Sequence, residues 1–188
     1  PKLDKKIDEV LSAKELSSTA LYTDFAGLFC AGNSSGVVVP RILEEYEINN
    51  FRQLFDNLLV LDTDYSAIGN LVLLNDSGVV VSPLLRRHRK KLQQFFGVPC
   101  EVSKVGGVNV VGSMAIASNK GCLAGPKIRK KEITLLEDVL NVELGIGTVS
   151  FGSPFVKAGI IANTKGCIVS DSTSGPELGR ISEALGFA

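Results

Sequence analysis

The apolar residues of this chain fall into two rhythms that alternate along its length. Runs of three recur at Val37–Val39, Val79–Val81, Cys122–Ala124 and Cys167–Val169, each short and continuous, as a buried strand requires. A tight-turn signature precedes every run: Asn33-Ser34-Ser35-Gly36, Asn75-Asp76-Ser77-Gly78, Ser118-Asn119-Lys120-Gly121 and Asn163-Thr164-Lys165-Gly166. Asn or Ser at the head of such a turn bonds the backbone two residues on, while glycine supplies the conformation a short hairpin loop needs. The turn glycines stand 42, 43 and 45 residues apart, so the chain is built as a repeat.

The second rhythm is helical. Beyond Pro83 and Pro126 the apolar residues share one stripe, as with Leu92, Phe95 and Phe96, or Ile133, Leu136, Val139 and Leu140. A strand follows, as in Leu58–Leu61 or Val142–Leu144, then a loop and a further strand starting at or near Gly27, Gly69, Gly112 and Gly159. The predicted unit is helix, strand, loop, strand, tight turn, strand, in about 43 residues. Sheets this small need neighbours, and a closed ring leaves no unit at an open end. The units run over roughly 1–39, 40–82, 83–125 and 126–170. A terminal helix over 174–186 carries Leu178, Ile181 and Leu185 on one stripe. Pro1-Lys2-Leu3 matches the unit openings Pro40-Arg41-Ile42 and Pro83-Leu84-Leu85. Four units and one helix therefore predict a fifth unit whose strands lie upstream of Pro1, on a further segment of roughly 25 to 30 residues.

Composition narrows the function classes. The 188 residues make one domain with a sizeable core, and 20 basic against 20 acidic residues remove any global argument for nucleic-acid binding. Four cysteines without Cys-x-x-Cys spacing suit reduced thiols in the cytoplasm better than a disulfide framework or a zinc site. No run approaches the roughly 18 apolar residues of a membrane span, and a single histidine, His88, leaves most acid–base and metal chemistries short of parts.

At this level of detail the chain resembles a known family. The segments Gly69-Asn70-Leu71-Val72-Leu73-Leu74-Asn75-Asp76-Ser77-Gly78, Val111-Gly112-Ser113, Ala162-Asn163-Thr164-Lys165-Gly166 and Ser174-Gly175-Pro176-Glu177-Leu178 are similar to translation initiation factor 6, the ribosome anti-association factors, in its archaeal branch. The resemblance spans essentially the whole chain. It implies an α/β pentein, or β/α propeller, of five pseudo-symmetric helix-plus-small-sheet repeats, the fifth incomplete because the N-terminal strands are absent from this sequence. It also implies a monomeric cytoplasmic protein, free of cofactor and metal, that binds the large ribosomal subunit at a protein near the sarcin–ricin loop and blocks joining of the small subunit. Two local departures touch the implied binding face. The loop Thr23–Gly27 is two residues shorter than Thr63–Gly69, and Lys157 stands where the other units have Gly27, Gly69 and Gly112.

The pentein architecture also hosts amidine-hydrolysing and amidinotransferase-like enzymes, which makes an enzyme the alternative. Catalysis of that kind needs His88 within reach of a thiol. His88 lies instead in the run Arg86-Arg87-His88-Arg89-Lys90-Lys91 on a predicted outer helix, and the sequence offers no catalytic assignment. Cys122 and Cys167 follow their turn glycines where the other units have Val37 and Val79, so they read as core residues. Cys30 is expected in a second strand and Cys100 at the start of a first strand. Arg86, Arg87, Arg89, Lys90 and Lys91 are candidates for contact with ribosomal RNA, with a solvated helix face as the alternative. Equivalent loops of a ring gather on one face. Leu28, Asn70 and Ser113 each follow a matching glycine there, and Ser66, Asn109 and Ser153 are placed beside them. A polar amide among Ala67, Ile68, Leu71 and Val72 either caps the loop backbone or contacts a partner; the resemblance favours the contact, because the family's binding surface includes the step matched by Gly69-Asn70.

Overall fold

The tight turns are built as their residue types require. Asn75 Oδ1 accepts from the backbone N–H groups of Ser77 (2.9 Å) and Gly78 (3.1 Å), and Asn163 Oδ1 accepts from Lys165 (2.8 Å) and Gly166 (3.2 Å). The computed structural model in which these turns are seen describes residues 7, 9–13, 20–23 and 25–188. The Pro1-Lys2-Leu3 opening lies outside the described residues.

Each turn joins an antiparallel hairpin: β1 (Ala31–Asn33) with β2 (Gly36–Pro40), β4 (Val72–Leu74) with β5 (Val79–Val81), β7 (Ala115–Ala117) with β8 (Cys122–Ala124), and β10 (Ile160–Ala162) with β11 (Cys167–Val169). Helical segments then carry the chain over to a strand parallel to the second member of the hairpin. In this way β3 (Leu58–Leu61) pairs with β2, β6 (Cys100–Val102) with β5, and β9 (Leu144–Ile146) with β8. Sheet and sequence unit are therefore out of phase: the first strand of each unit belongs to the sheet begun by the hairpin before it. The fourth sheet contains two described strands, β10 and β11.

The helices seal these sheets to one another. Leu92 and Phe96 of the helix Arg89–Phe96 are buried with Val38 and Leu61 of the first sheet and with Val79, Val81 and Cys100 of the second. Leu136 and Leu140 of Lys130–Leu140 join Leu73 and Val80 to Cys122 and Ala124. Ile181 of Gly175–Ala184, with Leu185, joins Leu123 to Ile160. The turn asparagines bind the helix ends: Asn75 Nδ2 donates to Leu140 O (2.8 Å) and Asn163 Nδ2 to Leu11 O (2.7 Å), which sets the helical residues 9–11 against the last hairpin. Among the described residues no helix is long and apolar enough to cross a membrane.

Several expectations are corrected. Gly27, Gly69 and Gly112 do not open strands; they sit inside one-turn helices, Ala26–Phe29, Ile68–Leu71 and Val111–Met114, that lead into the strands. At Gly69 and Gly112 the backbone of the adjacent turn approaches closely. A Cβ on Gly69 would run into the carbonyls of Gly27, Cys30 and Leu28, and one on Gly112 into that of Gly69. Cys30 accordingly ends such a turn instead of lying in the strand. Val142 is not in a strand, because Asn141, at φ 52°, ends the helix in the left-handed conformation and the strand begins only at Leu144. Leu178 leaves the predicted stripe and is exposed, while Ile181 and Leu185 are buried as expected.

Candidate functional site

The one-turn helices stand side by side, and their junctions bring together part of the predicted face. Gly69 is buried under the backbone of residues 27–30, and Gly112 lies against Gly69, Asn70 and Val72. Ser113 Oγ donates to Asn70 Oδ1 at 2.8 Å, so the two polar residues that follow matching glycines are in direct contact. The Asn70 backbone N–H donates to Ala67 O (3.1 Å), as the turn demands, but its side chain does not cap the loop. Leu28 is partly exposed on the neighbouring turn. Ser66 lines a cleft of about 360 Å³ with Arg41, Ile42, Thr63 and Asp64. Asn109 Oδ1 is buried without a hydrogen-bond partner among the described residues, and Ser153 closes a separate loop through paired backbone bonds with Val149. Direct contact thus joins Asn70, Gly69 and Ser113; Ser66, Asn109 and Ser153 lie on the segments leading up to these turns.

The segments that carry Asn109 and Ser153, and the one ahead of Gly27, are held by a device the sequence reading missed. Glu47, Glu132 and Glu177 each occupy the third position of a helix, where the carboxylate accepts from the N-cap backbone N–H of Glu44, Arg129 and Ser174 at 3.1, 2.8 and 2.8 Å. The same carboxylates accept from loop N–H groups: Tyr22 to Glu47, Gly106 and Gly107 to Glu132, Phe151 and Gly152 to Glu177. All five loop residues have positive φ, a concave run of donors suited to an anion. The Glu177 carboxyl is held at about 2 by hydrogen bonds from the Ser174 backbone, the Thr148 and Ser174 hydroxyls and Gly152, against a weaker opposing effect of burial. A sequence signal existed: each of these glutamates stands eleven residues after a turn glycine, and Arg89 holds that place in the remaining unit.

The gripped loops and their neighbours present aromatic side chains to solvent. Tyr22 is 75% exposed, Phe25 72% and Phe151 80%, while Tyr65 and Phe155 are half-exposed. Such exposure on constrained loops is the mark of an interaction surface more than of a core.

The basic run is only partly free. Arg89 donates to Cys100 O and pairs with Glu101 at 2.6 Å, and Arg87 Nε donates to His88 Nε2 at 3.0 Å. Arg86, Lys90 and Lys91 make no ion pair among the described residues. An open groove of about 810 Å³ runs beside Lys90, Gln93 and Gln94. His88, as a hydrogen-bond acceptor for arginine, is lowered from its ordinary pKa by burial and by the charges of Arg87 and Lys91. The thiols are pushed the wrong way for nucleophiles: burial raises Cys30 and Cys100 to about 11 and Cys122 to about 12, and it raises Cys167 as well.

The family description "eIF-6 family" matches residues 1–184. Translation initiation factor 6 of Methanocaldococcus jannaschii is 34% identical over 189 residues, covering 97% of this chain and 83% of that protein. The protein of the same name from Methanococcus vannielii is 36% identical, covering 96% and 83%, and that from Pyrobaculum aerophilum 33% identical, covering 99% and 87%.

Proposed function

The chain belongs to the eIF-6 family, and from that membership we propose that it binds the large ribosomal subunit and sterically prevents the small subunit from joining. The observation that carries this reading is the contact of Asn70 with Ser113 on adjoining one-turn helices, with the exposed Phe25 and Phe155 directly before two further turns of this kind: a polar and aromatic surface. In this reading the action is affinity and shape, with no catalytic residue, metal or cofactor. The partner surface is a ribosomal protein near the sarcin–ricin loop, and Arg86, Lys90 and Lys91 reach toward ribosomal RNA. The protein works in the cytoplasm as a monomer.

The same reading takes the four sheets as arcs of a five-unit pentein ring, with repeats at roughly 1–39, 40–82, 83–125 and 126–170 and the helix over 174–186 belonging to the fifth. The regular alternation of sheet and sealing helix supports it, as does the contact of Asn163 with Leu11. The raised thiols and the arginine-bound His88 speak against an amidine enzyme of this architecture.

The test is co-sedimentation with isolated large subunits, followed by light scattering as small subunits are added. The expected result is a chain that pellets with large subunits and lowers the scattering gained on joining. Failure to pellet overturns the proposal, as does consumption of an arginine-like substrate that is abolished on replacing one cysteine.

A further inference from the structure

Lys157 breaks the repeat at its most crowded place. It stands nine residues before Gly166, as Gly27, Gly69 and Gly112 stand nine before Gly36, Gly78 and Gly121. At Gly69 and Gly112 a Cβ would meet the backbone of the adjacent turn, so these two positions have no room for a side chain. The Lys157 side chain instead leaves the turn Val156–Gly159, and Nζ donates to Gly69 O at 3.0 Å, 88 residues away in sequence. That carbonyl belongs to the Gly69–Asn70 peptide unit, whose N–H is already bound to Ala67 O at 3.1 Å. Both ends of the unit are therefore held, the oxygen by Lys157 and the N–H by the turn. Ser113 Oγ holds the Asn70 side chain by its Oδ1, and the amide NH₂ makes no hydrogen bond among the described residues, which leaves it free to donate.

We infer that Lys157 is a positioning residue for Asn70: its hydrogen bond to Gly69 O fixes the peptide that aims the Asn70 amide at the partner. The inference rests on the reading of Asn70 as a contact with the large subunit. Either protonation state of the lysine donates this bond, so the role does not depend on a permanent charge. A lysine tied at its tip to backbone restrains the peptide much as a backbone bond would, which is what a preorganised contact needs.

The experiment compares Lys157→Met, which keeps the length and removes the donor, with Lys157→Arg, which keeps a donor. Two readouts are taken: amide hydrogen exchange of residues 68–72 in the free protein, and affinity for isolated large subunits. In Lys157→Met the exchange quickens by roughly tenfold and the affinity falls by roughly tenfold, while the melting temperature moves little. Lys157→Arg recovers most of both. Unchanged exchange in Lys157→Met overturns the inference without reference to the ribosome, and so does faster exchange with undiminished affinity. A wild-type protein that does not bind large subunits sinks the proposed function instead, and with it the partner this positioning serves.

Discussion

The Ser113 hydroxyl donates a 2.8 Å hydrogen bond to Asn70 Oδ1, linking residues 43 positions apart that each follow a glycine nine residues before a turn glycine. The bond occupies the amide oxygen, and the Asn70 NH₂ makes no hydrogen bond among the described residues. Asn70→Arg is expected to weaken large-subunit binding by more than tenfold, and Asn70→Ala by roughly tenfold, with melting temperatures nearly unchanged. Ser113→Ala, which frees the amide without removing it, is expected to cost less than Asn70→Ala. Sedimentation titrations beside thermal melts decide the matter; a low melting temperature in Asn70→Ala would make the residue structural instead.

Gly112→Ala addresses the junction itself. The added Cβ would press on the backbone of Gly69, Asn70 and Val72, none of which can rotate away as a side-chain tip would. Destabilisation on the order of 3 kcal/mol is expected, the scale of an overpacked core. Denaturant unfolding checks it, and a cost within about 0.5 kcal/mol would mean that the turns separate easily.

The tight turns, the short strands and most of the helices were legible because their signals are local. An Asn that bonds two residues ahead and a three-residue apolar run need no knowledge of the rest of the chain. What stayed hidden depends on through-space neighbours. Gly69 and Gly112 look like strand starts until the backbone of the adjacent turn is known to press on them. Glu177 looks like a helix cap alone until the loop containing Phe151 and Gly152 is seen on the same carboxylate. Leu178 fits the helix stripe by spacing, but the surface it faces is solvent. Of the candidate site, Asn70 and Ser113 were readable from repeat alignment, whereas Tyr22, Phe25, Tyr65, Phe151 and Phe155 were not, since an aromatic in a loop carries no sign of its exposure.

Glu177 sets a pH dependence. Its carboxyl titrates at about 2 in the folded chain against 4.5 ordinarily, so its contribution is fully present above the ordinary value and is lost as pH falls toward 2. Glu177→Gln keeps the shape and removes the charge that the Ser174, Gly152 and Phe151 N–H groups surround. It is expected to melt a few degrees lower than wild type at pH 7, and the gap should close as both are acidified from pH 5 to pH 2. A gap that stayed constant over that range would show that the charge is not what the loop recognises.

The basic run separates RNA contact from protein contact. Arg89 is tied to Glu101 and Cys100, so reversing it tests folding as much as binding, whereas Arg86, Lys90 and Lys91 have no such partners among the described residues. Replacing these three by Glu therefore changes charge without breaking an intramolecular bond. If they lie near phosphates, log affinity falls less steeply with log salt, by up to about 0.9 for each phosphate no longer neutralised, and the defect is largest at low salt. The expected result is a triple variant weaker than wild type at low salt, converging on it as salt rises, and at about 0.15 M salt less impaired than Asn70→Arg. The ordering follows from the surfaces: solvated charges on a helix lose most of their pull to screening, whereas a fixed amide on a constrained turn does not. A triple variant that failed to bind at any salt while Asn70→Arg bound normally would move the interface to the outer helix.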